Sequence, residues 1–155
     1  MRVVTFLDTS VLCEVLRVPG KCQQPEEIRR ELRERLAANE SLLLPTAAII
    51  ETGNHIAQAA DGNQRREVAE RLVRVLRQTT AADPPWVLND AKWDGTLITR
   101  ICDGARGCPS LPDMAAQGVG AGDVSILAEV EAYEERVSHV QVRIWTLDHG
   151  LAAYA

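Results

Sequence analysis

Long apolar runs are missing from this chain. The longest, such as Leu42–Leu44 and Ala47–Ile50, are far too short to span a bilayer, so no membrane partner is expected. The first residues carry one Arg and run straight into a strand-like segment. They lack the apolar stretch and small-residue cleavage site of a secretory signal. A soluble cytoplasmic protein is the expectation. Cysteine pairing signals are absent too: Cys13, Cys22, Cys102 and Cys108 form no C-x-x-C pair, and no His stands at zinc-ligand spacing. In a reducing compartment these read as free thiols. An excess of positive charge is also lacking. Net charge is −5 with a pI near 5.2, which excludes a protein that wraps nucleic acid by bulk charge. Lysine is scarce, at two residues against fifteen arginines. Neither G-x-S-x-G nor a phosphate-loop motif occurs, and there is no repeat, low-complexity tract or linker.

What remains is an ordinary globular composition, 46% hydrophobic and 25% charged over 155 residues, enough for one domain spanning 1–155 with a real core. Arg2–Leu7 is an apolar, β-branched run that reads as a buried strand ending at Asp8. A helix through about Val18 follows, stopped by Pro19–Gly20. Pro25 opens a second, with Ile28, Leu32 and Leu36 on one face. Its Arg29, Arg30, Arg33 and Arg35 interleave with Glu and read mainly as a salt-paired exposed face. Ser41–Leu44 reads as a second strand, and Pro45–Thr46 starts a third helix through about Ala60. A long helix runs from Gly62 to about Thr79. After Asp83–Pro84–Pro85, another carries Trp93, Leu97, Ile98 and Ile101. Asp103 to Gly120, rich in Gly and Pro, reads as a long loop. Ala121 to about Ser138 is helical, Val140–Leu147 is a strand, and His149 begins a final helix. Strands alternating with helices predict an α/β domain whose central sheet is mainly parallel and flanked by helices.

The acids fall where such a sheet binds ligands, along the edge formed by strand C-termini and helix N-termini. Asp8 follows the first strand and Asp148 the last, while Asp123 begins a helix after the loop. Singly, Asp8 and Asp148 are better explained as helix caps. Asp123 shares a face with Ile126, Leu127 and Val130, so its charge points toward the core and needs a partner or a metal. Glu51 and His55 lie opposite Ile49, Gly53 and Ile56, and by that pattern Glu51 is solvated. His55 itself reads as a surface or polar-network residue, and Trp86 and Trp93 as core rather than base-stacking residues.

Four segments, taken in order, resemble the motifs of the PIN-domain family: Phe6-Leu7-Asp8-Thr9-Ser10-Val11-Leu12, Ile50-Glu51-Thr52-Gly53, Gly122-Asp123-Val124-Ser125-Ile126-Leu127-Ala128 and Thr146-Leu147-Asp148. They span nearly the whole chain. The resemblance implies acidic metal ligands at Asp8, Glu51, Asp123 and Asp148, with supporting hydroxyls at Ser10 and Thr146. It also implies a single PIN-like domain that hydrolyses RNA to 5′-phosphate and 3′-hydroxyl ends. It further implies a homodimer and the toxin half of a toxin–antitoxin pair, with a small antitoxin protein as partner. Where the family often has another acid two positions beyond the last, this chain has Gly150, which leaves one or two metal ions open.

The chemistry suits the residue types. Mg²⁺ and Mn²⁺ take oxygen ligands, and a carboxylate cluster can hold one ion, or two about 3.5–4 Å apart, to activate water against a phosphodiester. A phosphoryl-accepting Asp8 fits less well: Ser10 stands where haloacid-dehalogenase-like phosphatases have a second Asp, and Lys21 and Lys92 are poorly placed for a receiver. The alternative reading is a non-catalytic PIN-like module that binds RNA or protein.

Overall fold

The computed structural model describes residues 1–155. In chain order the elements are β1 (Arg2–Leu7), α1 (Thr9–Leu16), α2 (Pro25–Ala37), β2 (Ser41–Leu44), α3 (Thr46–Ala57), α4 (Gly62–Gln78), β3 (Val87–Leu88), α5 (Gly95–Asp103), α6 (Leu111–Ala116), α7 (Ala121–Arg136), β4 (Val140–Trp145) and α8 (His149–Ala152). The four strands form one wholly parallel sheet in the order β3-β2-β1-β4, flanked by the helices. The protein is therefore α/β, as the alternation of strands and helices predicts. No helix is long and apolar enough to cross a membrane.

Strand β1 is central, with Thr5 aligned to Leu42 on one side and Arg143 on the other. Its residues from Val4 to Leu7 are fully enclosed, as expected of a strand covered on both faces. The one polar member, Thr5, donates from Oγ1 to Glu40 Oε2 at 2.8 Å, so its burial leaves no hydroxyl unsatisfied. Phe6 meets Tyr133 of α7 edge to face at 5.5 Å between ring centres. Burying a Phe side chain contributes about 1.5–3 kcal/mol. The chain steps from β1 to β2 to β3 in one direction and then returns to place β4 on the other side of β1. The strand order thus reverses between β1 and β4, and ligands bind outside the carboxyl ends of strands at such a point.

Three sequence expectations are revised. The segment from Asp103 to Gly120 is not all loop: Ser110 caps α6 by accepting from the Asp113 N–H at 3.4 Å, and a Pro in the first turn starts this helix rather than breaking it. Strand β3 is only two exposed residues, paired with Leu43 and Leu44, too short to leave a periodic signal. Trp93 lies outside α5, which Asp94 caps through the Leu97 N–H, and its ring is 48% exposed. Trp86 is core, its Nε1 donating to the Val75 carbonyl at 3.1 Å. All four cysteines are free thiols.

Candidate functional site

Asp8 ends β1 and caps α1 in one stroke. Its extended backbone makes the strand's last hydrogen bond, the Asp8 N–H donating to the Trp145 carbonyl at 3.0 Å, while its side chain accepts from the Ser10 N–H. Oδ2 also accepts from the hydroxyls of Ser10 and Thr146, each at 2.7 Å. Both hydroxyls are oriented for this role, because each already accepts a backbone N–H: Leu147 to Ser10 Oγ, and Asp148 to Thr146 Oγ1, both at 2.9 Å. These bonds tie the end of β1 to the end of β4. The other oxygen, Oδ1, is buried and has no partner. A lone carboxylate oxygen without a donor is costly in such a place.

Around it lies a cleft of about 210 Å³, walled by Asp8, Thr9, Ser10, Cys13, Lys21, Glu51, His55, Asp123 and Asp148. The four sequence-derived acids are thus brought to one place. Larger depressions of about 240 and 570 Å³ lie elsewhere, but neither gathers so many carboxylates. Glu51, solvated by its periodicity, is instead half-buried and accepts from Thr9 Oγ1 at 2.8 Å. The helical pattern failed because α3 is covered by α7 on the side that looked polar. The Glu51 carboxylate lies against Gly122, where a Cβ would fall 2.6 Å from its carboxyl carbon. Asp148 remains exposed and caps α8 through the Gly150 N–H at 2.8 Å.

The electrostatics follow from this crowding. Asp123 is pushed up to about 7 by burial first, then by the charges of Asp8, Asp148 and Glu51. An interaction with the Asp148 carboxylate that favours the protonated form adds the smallest part of the rise. The Cys13 thiol is raised to about 11 by burial, with Lys21 pulling the other way and Asp8 and Glu51 adding to the rise, so it is no nucleophile at neutral pH. His55 Nδ1 is buried without a partner.

Fitness for a hard divalent cation can be judged on these observations. The donors are oxygens, one of them is orphaned, and the cleft concentrates negative charge that lacks a counter-ion apart from Lys21 on the rim. Convergence is incomplete: no group of three or more His, Cys, Asp and Glu side chains is spaced to hold one ion. Glu51 is engaged by Thr9 and Asp148 by its own helix, so a cation must draw both inward. Chemistry and charge fit; the side-chain positions are those of an open cleft. Sequence reasoning missed Thr9, Lys21 and Gly122 as parts of this site. Thr9 and Gly122 sit beside acids already singled out, which was the available signal, whereas Lys21 offered none.

The fold and the cleft together define a parallel α/β protein with an acidic site at the reversal point of its sheet. No family model matches the chain, and no curated protein matches it.

Proposed function

We propose that this protein is a Mg²⁺- or Mn²⁺-dependent endoribonuclease that hydrolyses RNA phosphodiester bonds. The observation that carries the reading is the buried, unpartnered Oδ1 of Asp8 in a cleft shared with Glu51, Asp123 and Asp148. The motif resemblance supports it independently. When bound, the cation would supply the Lewis acidity that activates water and offsets phosphate charge. Asp8, Glu51, Asp123 and Asp148 would hold it, with Asp8 kept rigid by Ser10 and Thr146. Asp123, near 7, can hold or release a proton at its carboxyl around neutral pH. The Lys21 ammonium, the one Lys or Arg lining the cleft, is positioned to orient an anionic substrate.

The test is digestion of single-stranded and structured RNA with Mg²⁺, with Mn²⁺ and with excess EDTA, alongside Asp8→Asn. Cleavage that persists at full rate in EDTA, or in the variant, would refute the proposal. A second reading, a non-catalytic RNA- or protein-binding module, is favoured by one observation: the acids do not converge into a ligating set. It predicts no cleavage with any metal. The toxin role, antitoxin partner, homodimer and cytoplasmic location rest on the resemblance alone. A small adjacent reading frame and a dimer in sedimentation are the expected results, and a fully active monomer would remove the dimer from the proposal.

A further inference from the structure

A second charged cleft, of about 340 Å³, lies between α2 and α4, and its charge is of the opposite sign. Arg29 and Arg33 reach it from α2, and Arg71 and Arg74 from α4, over a floor that includes Leu32 and Val75. No acid lines it, in a chain whose net charge is −5. Other arginines on the same two helices are neutralised: Arg30 pairs with Glu34, Arg35 with Glu31 and Glu40, and Arg66 with Glu70. Arg33 and Arg74 have no ion pair, and Arg29 has none either. Arg29 and Arg33 stand one helical turn apart, a like-charge spacing that destabilises a helix.

Two of the four are also fixed in direction. Arg29 Nη2 donates to the Val15 carbonyl at 3.0 Å, and Arg71 donates from Nη1 to the Leu16 carbonyl at 2.7 Å and from Nη2 to Glu67 Oε1 at 3.0 Å, so Arg71 is the one cleft arginine that already has a carboxylate partner. Crowding is felt at Arg29, whose pKa is lowered by burial and then by Arg17, Arg71 and Arg33. Val15 and Leu16 end the helix that Asp8 begins, so the two clefts lie at opposite ends of α1, about 12 Å apart along its axis. Lys21 stands on the acidic rim, whereas Arg17, which follows α1 at the arginine end, is paired with Glu26.

We propose that the Arg29–Arg33–Arg71–Arg74 cleft binds backbone phosphates of an RNA strand that also reaches the acidic cleft. This rests on RNA as the ligand of the protein but not on its cleavage. An RNA strand is favoured over an acidic polypeptide because the neighbouring cleft has Lys21 beside four carboxylates, where a phosphodiester with its cation can enter and a further carboxylate is repelled. Guanidinium forks match phosphate oxygens two at a time.

The experiment is fluorescence anisotropy with an unstructured, labelled single-stranded RNA in EDTA, across about 50–200 mM salt. Arg33→Gln/Arg74→Gln is expected to weaken binding about tenfold and to make the log–log salt slope shallower by about 1.4, two phosphate contacts at roughly 0.7 each. Arg30→Gln, on the paired face of α2, should change neither, and melts establish that all variants are folded. Unchanged affinity and slope in the double variant would overturn the proposal. So would polyglutamate that displaces the RNA as well, charge for charge, as unlabelled RNA does. Arginine-dependent binding in a protein that cleaves nothing when Mn²⁺ is added would sink the nuclease reading and leave this one standing.

Discussion

Two clusters of like charge face solvent from opposite ends of α1, and they respond to their own repulsion differently. Near the ends of β1 and β4 the four carboxylates are crowded against buried backbone, and Asp123 answers by rising to about 7. Between α2 and α4 the four guanidinium groups keep their charge, because Arg cannot shed a proton in this range. Water and salt screen the arginines, whereas Asp8 is 2% exposed and has no such relief. The same arithmetic of like charges therefore creates a demand for a cation in one cleft and only an attraction for anions in the other. Burial, more than the number of charges, makes the difference.

The largest expected effect breaks the acidic cluster. Asp123→Asn keeps size but removes one charge; Asp123 makes no capping bond that the change could break. RNA cleavage in Mn²⁺ should fall by more than the about 10–100-fold that even outer-shell metal partners are worth. Stability should move the other way. Asp123 holds its proton more tightly folded than unfolded, so its contribution is full below about 3.8 and is lost as pH rises through about 7. At pH 8 the metal-free variant should be more stable than the parent by on the order of 1–3 kcal/mol, and below pH 4 equal to it. Mn²⁺ should stabilise the parent much more than the variant, and increasingly so as pH rises toward 7. Melts over pH and metal check all of this; a variant that stays active, or is less stable at pH 8, would show that Asp123 is no member of a charged metal-holding cluster.

A buried carboxylate without neighbours of like charge sharpens the comparison. Glu129 of α7 is wholly enclosed and raised to about 7, chiefly by burial, with hydrogen bonds from Thr46, Asn89 and Ala47 opposing the rise. Oε1 accepts from the Thr46 N–H, serving the otherwise uncapped start of α3, while Oε2 has no partner. Folding stability from this group is full below about 4.5 and is lost as pH rises through about 7. Glu129→Gln, neutral at all pH, should therefore gain up to ~3 kcal/mol at pH 8 and nothing at pH 4. Urea midpoints at the two pH values measure it, and equal gains at both would mean that packing, not ionisation, is responsible.

Gly122→Ala tests the placement of the Glu51 carboxylate rather than its charge. The added Cβ must displace the Glu51 carboxyl, the far end of a flexible side chain, so stability should change by no more than about 0.5 kcal/mol while cleavage falls with the displaced carboxylate. Retained activity with intact stability would show that Glu51 is free to move without consequence. The smallest effect belongs to the arginine cleft. Arg33→Gln relieves repulsion that water already screens, so stability should change by no more than about 0.5 kcal/mol, upward at low salt and not at high salt. A larger gain would mean that the guanidinium cluster is strained in the way the acidic one is.

Much of this arrangement is legible in the residues themselves. The apolar run Arg2–Leu7 ending in Asp8, and Val140–Leu147 ending in Thr146-Leu147-Asp148, announce two strands whose acids must share an edge once the sheet is parallel. Helix α7 is legible from Ala121 onward, and Asp123 on its apolar side signals a charge with unmet needs. Glu51 was not legible from pattern. Helical periodicity reports which side of a helix meets the core in the average case, and a second helix crossing the polar side leaves no local trace.

Alone, the sequence determined the α/β class, the strand ends on which Asp8 and Asp148 fall, and the hydroxyls beside them, because period and capping chemistry are local. Only the tertiary structure decided that Glu51 would lean on Thr9 beneath Gly122, and that Lys21 would stand at the rim. It alone decided, too, which arginines of α2 would find a carboxylate and which would face α4 unpaired. Those outcomes depend on how helices distant in sequence cross, and crossing is set by packing among side chains that no single segment contains.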